Sequence, residues 1–109
     1  MFRGTAQAFA SDAAALALAS SINDRNFDRL FAPVERWFAY LPFEHAEDLA
    51  AQRRSLALFQ VLDPDASEYA RRHHDIIARF GRFPHRNATL ARDSTSAELE
   101  FLKQPGSSF

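Results

Sequence analysis

Apolar residues recur along this chain at the three- and four-residue spacing of helices, and no stretch alternates at the period of two that marks a strand. Phe9, Ala13, Leu16, Ala17 and Ser20 share one small face. They predict a first helix from Thr5 or Ala6 to Ser21, closed by the turn-forming run Asn23-Asp24-Arg25-Asn26. Pro33 suits a first-turn position, and Val34, Trp37, Phe38 and Leu41 form a stripe behind it. A second, short helix is therefore expected, pinned into a core by that stripe and ended by Pro42. A third helix follows the Pro42-Phe43-Glu44-His45 corner and runs to Leu62, with Leu49, Leu56 and Phe59 facing inward. Its acidic start (Glu44, Glu47, Asp48) and later Arg53 and Arg54 match the helix dipole. The fourth opens at Asp63-Pro64, buries Tyr69, His73, Ile76, Ile77 and Phe80, and closes at Gly81. A short helix over Ala88 to Arg92 is expected next. A last one starts from the capping box Thr95-Ser96-Ala97-Glu98 and carries Leu99, Phe101 and Leu102. The class is all-α: an αα-hairpin array or an irregular bundle of about five to six helices, in one domain over residues 1–109.

Composition narrows the function. The chain has 109 residues, 47% of them hydrophobic and 25% charged, which is the profile of a folded globular protein. It has no cysteine, so thiolate nucleophiles, disulfides and Cys-ligated metals are excluded. Thirteen Lys+Arg against 14 Asp+Glu leave a net charge of -1, which speaks against a nucleic-acid partner. No apolar run is long enough to span a bilayer and no secretory signal precedes the first helix, so a cytoplasmic protein without a membrane partner is expected. Neither a Gly-x-Ser-x-Gly elbow nor a glycine-rich phosphate loop occurs, and no cofactor is expected.

Three segments carry candidate chemistry. In the first, His45 and Gln52 are expected on one face of the third helix, with Glu44 and Asp48 on the adjoining face. An imidazole beside carboxylates can bind a divalent metal or act as a general base. One helix supplies a single imidazole, however, so no resident metal is expected. In the second, Arg79, Arg82, His85 and Arg86, with Asn87, crowd a helix end and the loop after it, a set able to clamp an anion. Its alternative role is pairing with the acidic corner, and Glu44, Glu47 or Asp48 is then expected within ion-pair distance of Arg79, Arg82 or Arg86. In the third, His73 lies on the buried stripe of the fourth helix and its neighbour His74 does not, so the two cannot share one ion.

Several strings follow one another in a recognisable order: Phe2-Arg3-Gly4-Thr5-Ala6, Phe9-Ala10-Ser11-Asp12, Tyr40 through Asp48 with Gln52, and Arg79 through Asn87. Together with Asp93-Ser94-Thr95, Glu98 and Phe101-Leu102 they resemble the DUF924 family of bacterial and fungal proteins. The resemblance implies a TPR-like αα superhelix and no established activity. It also implies that the family's N-terminal part, which enters by a Trp-Phe helix, has no counterpart before Phe2. This chain then corresponds to the C-terminal portion of the family's domain.

The resulting expectation is a helical binding module for a peptide or small anionic ligand, lined by Glu44, His45, Asp48, Gln52, His73, Arg82, His85, Arg86 and Asn87. The alternative is a hydrolase-like or metal-dependent enzyme using His45, Glu47, Asp48 and His85. Eleven Phe, two Tyr and one Trp are more aromatic area than so thin a helical layer covers easily. A twofold homodimer is expected, with the first helix (Phe9, Ala13, Leu16, Ala17) at or near the interface.

Overall fold

The computed structural model describes residues 12–107, and the expected helix start at Thr5 or Ala6, with Phe9, lies outside them. Among the described residues the chain is an all-α bundle. Helix α1 covers Asp12–Asp24, a 3-10 turn Phe27–Leu30, α2 Pro33–Glu44, α3 Leu49–Leu62 and α4 Pro64–Phe80. A second 3-10 turn at Pro84–Arg86 and helix α5, Ser96–Leu102, complete it. Each helix from α1 to α4 packs mainly on the next in sequence. Sequential packing needs only short connections, and the caps supply them. Asp48 accepts from the Ala51 N–H at 2.8 Å and starts α3; Asp63 accepts from the Asp65 N–H at 3.0 Å and starts α4. Gly81 ends α4 with φ 75°, the left-handed conformation that glycine adopts without steric cost.

Two apolar clusters hold the layers. Ala19, Tyr40, Phe43, Ala46, Ala51, Phe59 and Ala70 form the larger, whose alanines let α1 to α4 approach closely. Ile76, Ile77 and Phe83 form the smaller, with Leu49, Phe80 and Phe101 packed against it. Beside the larger cluster Tyr40 donates to Asp28 Oδ2 at 2.5 Å, and Arg36 Nε donates to the Asp28 carbonyl at 2.8 Å. That buried knot ties the first 3-10 turn to α2, and burial followed by the Asp28 carboxylate pushes the Tyr40 hydroxyl up to about 12.

The structure departs from the sequence reading in several places, the simplest being Tyr69, expected on the buried stripe of α4 but exposed. Helix α2 runs through Pro42 to Glu44. Proline removes one donor, whose acceptor would be the Phe38 carbonyl, and Phe38 is itself exposed, so water can replace it. The corner consequently falls at His45, the C-cap of α2, and His45 is not on the face of α3. On α2 the inward side is Tyr40, Phe43 and Glu44, whereas Val34, Trp37 and Phe38 face outward. On α1 the packed residues are Leu16 and Ala19, with Ala13 and Ala17 exposed. Periodicity shows that an apolar stripe exists, but not which of two stripes a neighbour covers. Residues 88–92 form turns, not a helix; Ala91 stands at φ 54° and the Arg92 N–H returns to the Asn87 carbonyl at 2.8 Å.

Candidate functional site

The end of α2, the middle of α4 and the loop after Gly81 converge on the ring of Phe83, which is fully buried. Glu44 comes from the last turn of α2 and is 5% exposed, held there because Tyr40 and Phe43 on the same helix are buried. His73, also 5% exposed, reaches the same place from the inward stripe of α4. Its Nδ1 lies 3.7 Å from Glu44 Oε1 and 2.7 Å from the Tyr69 carbonyl. A carbonyl can only accept, so Nδ1 carries the proton of the neutral ring. The His45 ring stands 5.7 Å from His73, and the Phe83 ring 5.5 Å from His73 and 5.8 Å from His85. The Arg86 guanidinium covers the Phe83 ring at 4.7 Å, donates to the His45 carbonyl at 2.9 Å and pairs with Asp12 at 3.5 Å.

Burial dominates the electrostatics. It raises the Glu44 carboxyl from 4.5 to about 7 and lowers His73 from 6.5 to about 4, because each loses water in its charged form. For His73 the Tyr69 carbonyl opposes the shift, while His45, His85 and Arg86 add to it. His85 is lowered by burial and then by Arg86, and the Arg86 guanidinium is itself lowered by burial. Near neutrality the centre therefore holds a half-ionised carboxyl, a neutral His73 and one guanidinium.

Gln52, fully buried on α3, donates to the carbonyls of Glu44 at 2.6 Å and Ala46 at 2.8 Å. It satisfies backbone groups left open where α2 ends and so fixes the approach of Glu44. Among the described residues its buried Oε1 has no hydrogen-bond partner.

The remaining expected site residues serve the scaffold. Asp48 caps α3. We expect Asp48→Ala to lower unfolding stability by about 1 kcal/mol and Asp48→Asn to lower it by far less. Urea titrations of the two variants check this. Arg82 grips the buried Glu98 carboxylate through Nε at 2.8 Å and Nη2 at 2.6 Å; that grip, more than the Thr95 N–H, holds Glu98 down to about 2. Asn87 donates to Ser94 Oγ at 3.0 Å and accepts from Arg92 Nε at 3.1 Å. The acidic corner meets an arginine outside the expected set: Glu47 takes Arg92, at 2.8 Å and 3.0 Å, together with the Phe83 N–H at 2.6 Å, whereas Arg82 pairs with Glu98 and Arg86 with Asp12. The sequence carries no signal for Arg92, which lies beyond the arginine-rich run; only the turn at 88–92 brings it back. Among the described residues no three His, Asp or Glu side chains are placed to hold a metal ion.

Residues 1–106 match the family described as bacterial protein of unknown function, DUF924. The chain belongs to that family. A solved structure of a protein of unknown function from Agrobacterium tumefaciens is 45% identical to this chain and superimposes with a TM-score of 0.88. The match covers 94% of this DUF924 chain and 58% of the solved chain, so the present sequence spans less than two thirds of that relative. A comparison with curated proteins finds no match. Among the described residues of this DUF924 protein, no helix is long and apolar enough to cross a membrane.

Proposed function

We propose that this DUF924 chain is a binding module, built as a TPR-like αα array and working in the cytoplasm, whose ligand is a small anion or a peptide carboxylate. Its site is the cluster of Glu44, His45, His73, His85 and Arg86 around Phe83. One observation carries the reading: four nitrogen-bearing side chains from three elements gather beside a buried carboxyl. Such an arrangement costs stability, and titratable clusters of this kind are found preferentially at functional sites. Arg86, already largely desolvated, is suited to a carboxylate or phosphate, and protonation of Glu44 removes the negative charge that would repel one. The order of packing from α1 to α4 supports the TPR-like reading.

Titration of the protein with acetate and with inorganic phosphate, followed through the imidazole nitrogen signals, tests the proposal. Saturable shifts at His73 and His85 are expected with a dissociation constant of about 1 mM or tighter. Binding weakens as pH rises through 7, where Glu44 ionises. His45→Ala, at a half-exposed side chain, should weaken binding while leaving the fold intact. Imidazole signals that do not move at tens of millimolar of either anion would sink the reading.

A second reading, an acid–base enzyme of the hydrolase-like kind, draws on Glu44 and His73. Burial drives their proton affinities to opposite sides of their usual values, the pattern of an acid and a base kept apart. Glu47 and Asp48, which the sequence pointed to, are engaged by Arg92 and by the α3 N-terminus. Turnover of p-nitrophenyl acetate that vanishes in Glu44→Gln, with helicity unchanged, would favour the enzyme.

A further inference from the structure

Helix α2 is apolar on two sides. Its inward side buries Tyr40 and Phe43, while Val34, Trp37 and Phe38 on the outward side are 62%, 38% and 61% exposed. Leu30, in the turn just before the helix, is 83% exposed. A surface helix in water carries one apolar stripe; a helix apolar on both sides is normally covered on both. The outward side is also preorganised. Trp37 and Phe38 already contact each other edge to face, with ring centroids 5.1 Å apart, so little side-chain freedom remains to be lost on association. Paired aromatics in an apolar setting are the side chains that dominate interface energies.

We infer that the outward face of α2, centred on Val34, Trp37 and Phe38 with Leu30 at its edge, is the surface through which two copies of this chain associate. The area fits a second copy. At these exposures the four side chains present roughly 450 Å² of apolar surface, given that an aromatic side chain alone carries about 150–250 Å². An isologous contact doubles that, and with its polar rim it passes the ~1,000 Å² a specific interface needs. A net charge of -1 per chain adds almost no repulsion between copies. The contact sits at the low end of the size range, so the dimer is a weak one, forming at micromolar concentration. This surface differs from the small-residue side of α1, where Ala13 and Ala17 are exposed.

The chain has one tryptophan, and it lies in the proposed contact, so its emission reports directly. Sedimentation and fluorescence are measured together from ~1 µM to ~500 µM, a span that brackets a micromolar constant. The mass should rise from 12.3 kDa toward twice that value. In the same range the Trp37 emission should move to the blue and its quenching by acrylamide should fall. Phe38→Glu, at a position exposed in the folded chain, should keep the helical circular dichroism. It should also raise the dissociation constant at least ~100-fold, the size of a hot-spot loss. Ala17→Glu on α1 should leave association unchanged. A 12.3 kDa mass at every concentration overturns the inference. So does a dimer that survives Phe38→Glu, or association abolished by Ala17→Glu.

Discussion

Glu44→Gln should become steadily more stable relative to the parent protein as pH rises. In the unfolded chain Glu44 ionises near 4.5, whereas in the fold burial delays ionisation to about 7. The folded state thus binds the extra proton across that window, and its stability falls as pH rises through it. Gln carries no charge at any pH and escapes this loss. The difference between the two proteins should grow by about 3 kcal/mol from pH 4.5 to pH 8, at 1.36 kcal/mol for each unit of pKa. His73 has the opposite sign. Its folded value of about 4 lies below 6.5, so stability is lost as pH falls through that interval. A His73→Asn variant should gain on the parent by a similar amount between pH 7 and pH 4. Because the two contributions oppose one another, the parent protein shows little net slope from this pair, and only the single variants reveal it. Urea unfolding of all three proteins at a series of pH values checks the result. Parallel curves for Glu44→Gln and the parent would mean that Glu44 is not buried as described.

Glu47→Ala should cost about 2–4 kcal/mol, a large part of the stability of a small domain. Glu47 joins the α2–α3 corner to the loop after Gly81. It accepts from the Phe83 N–H and from both terminal nitrogens of Arg92. Burial opposes ionisation, but Arg92 and then the Phe83 N–H outweigh it and hold the carboxyl below its ordinary value. Removing it leaves a buried amide without its acceptor and a partly buried guanidinium without its charge partner. Glu47→Gln keeps an acceptor for the amide and loses the charge, so its cost should be about half. Hydrogen exchange should show the 82–95 segment opening first in the alanine variant, with His85 moving alongside Phe83. Unchanged protection there would show that Glu47 does not hold the loop.

Residues 82–87 and the Glu44–Gln52 corner were both visible as strings of charged and polar residues, and the structure brings part of each to one centre. What the strings could not show was which member goes where. His45 looked like a companion of Gln52 on α3, yet it caps α2, because Pro42 does not end that helix. Asp48 looked like a site carboxylate and instead satisfies the Ala51 N–H. Glu98 was legible as half of a capping box, a local pattern; its grip on Arg82 spans sixteen residues and was not. Those assignments depend on which donors a fold leaves open, and sequence spacing does not record them.

Local patterns along the chain are enough for the all-α class, the start of α4 at Asp63-Pro64, its end at Gly81, the Thr95–Glu98 cap and the inward placement of His73. Each is a local matter of periodicity, capping or backbone freedom, resolved within one or two helical turns. Tertiary structure alone decided that Glu47 meets Arg92, that Glu44 is buried against His73, and that α2 turns Tyr40 and Phe43 inward and Trp37 and Phe38 out. Helix α2 carries apolar residues on both sides, so periodicity is satisfied either way. The choice fell to the packing of α3 and α1 against it, and to the Asp28 knot that draws Tyr40 and Arg36 to one side.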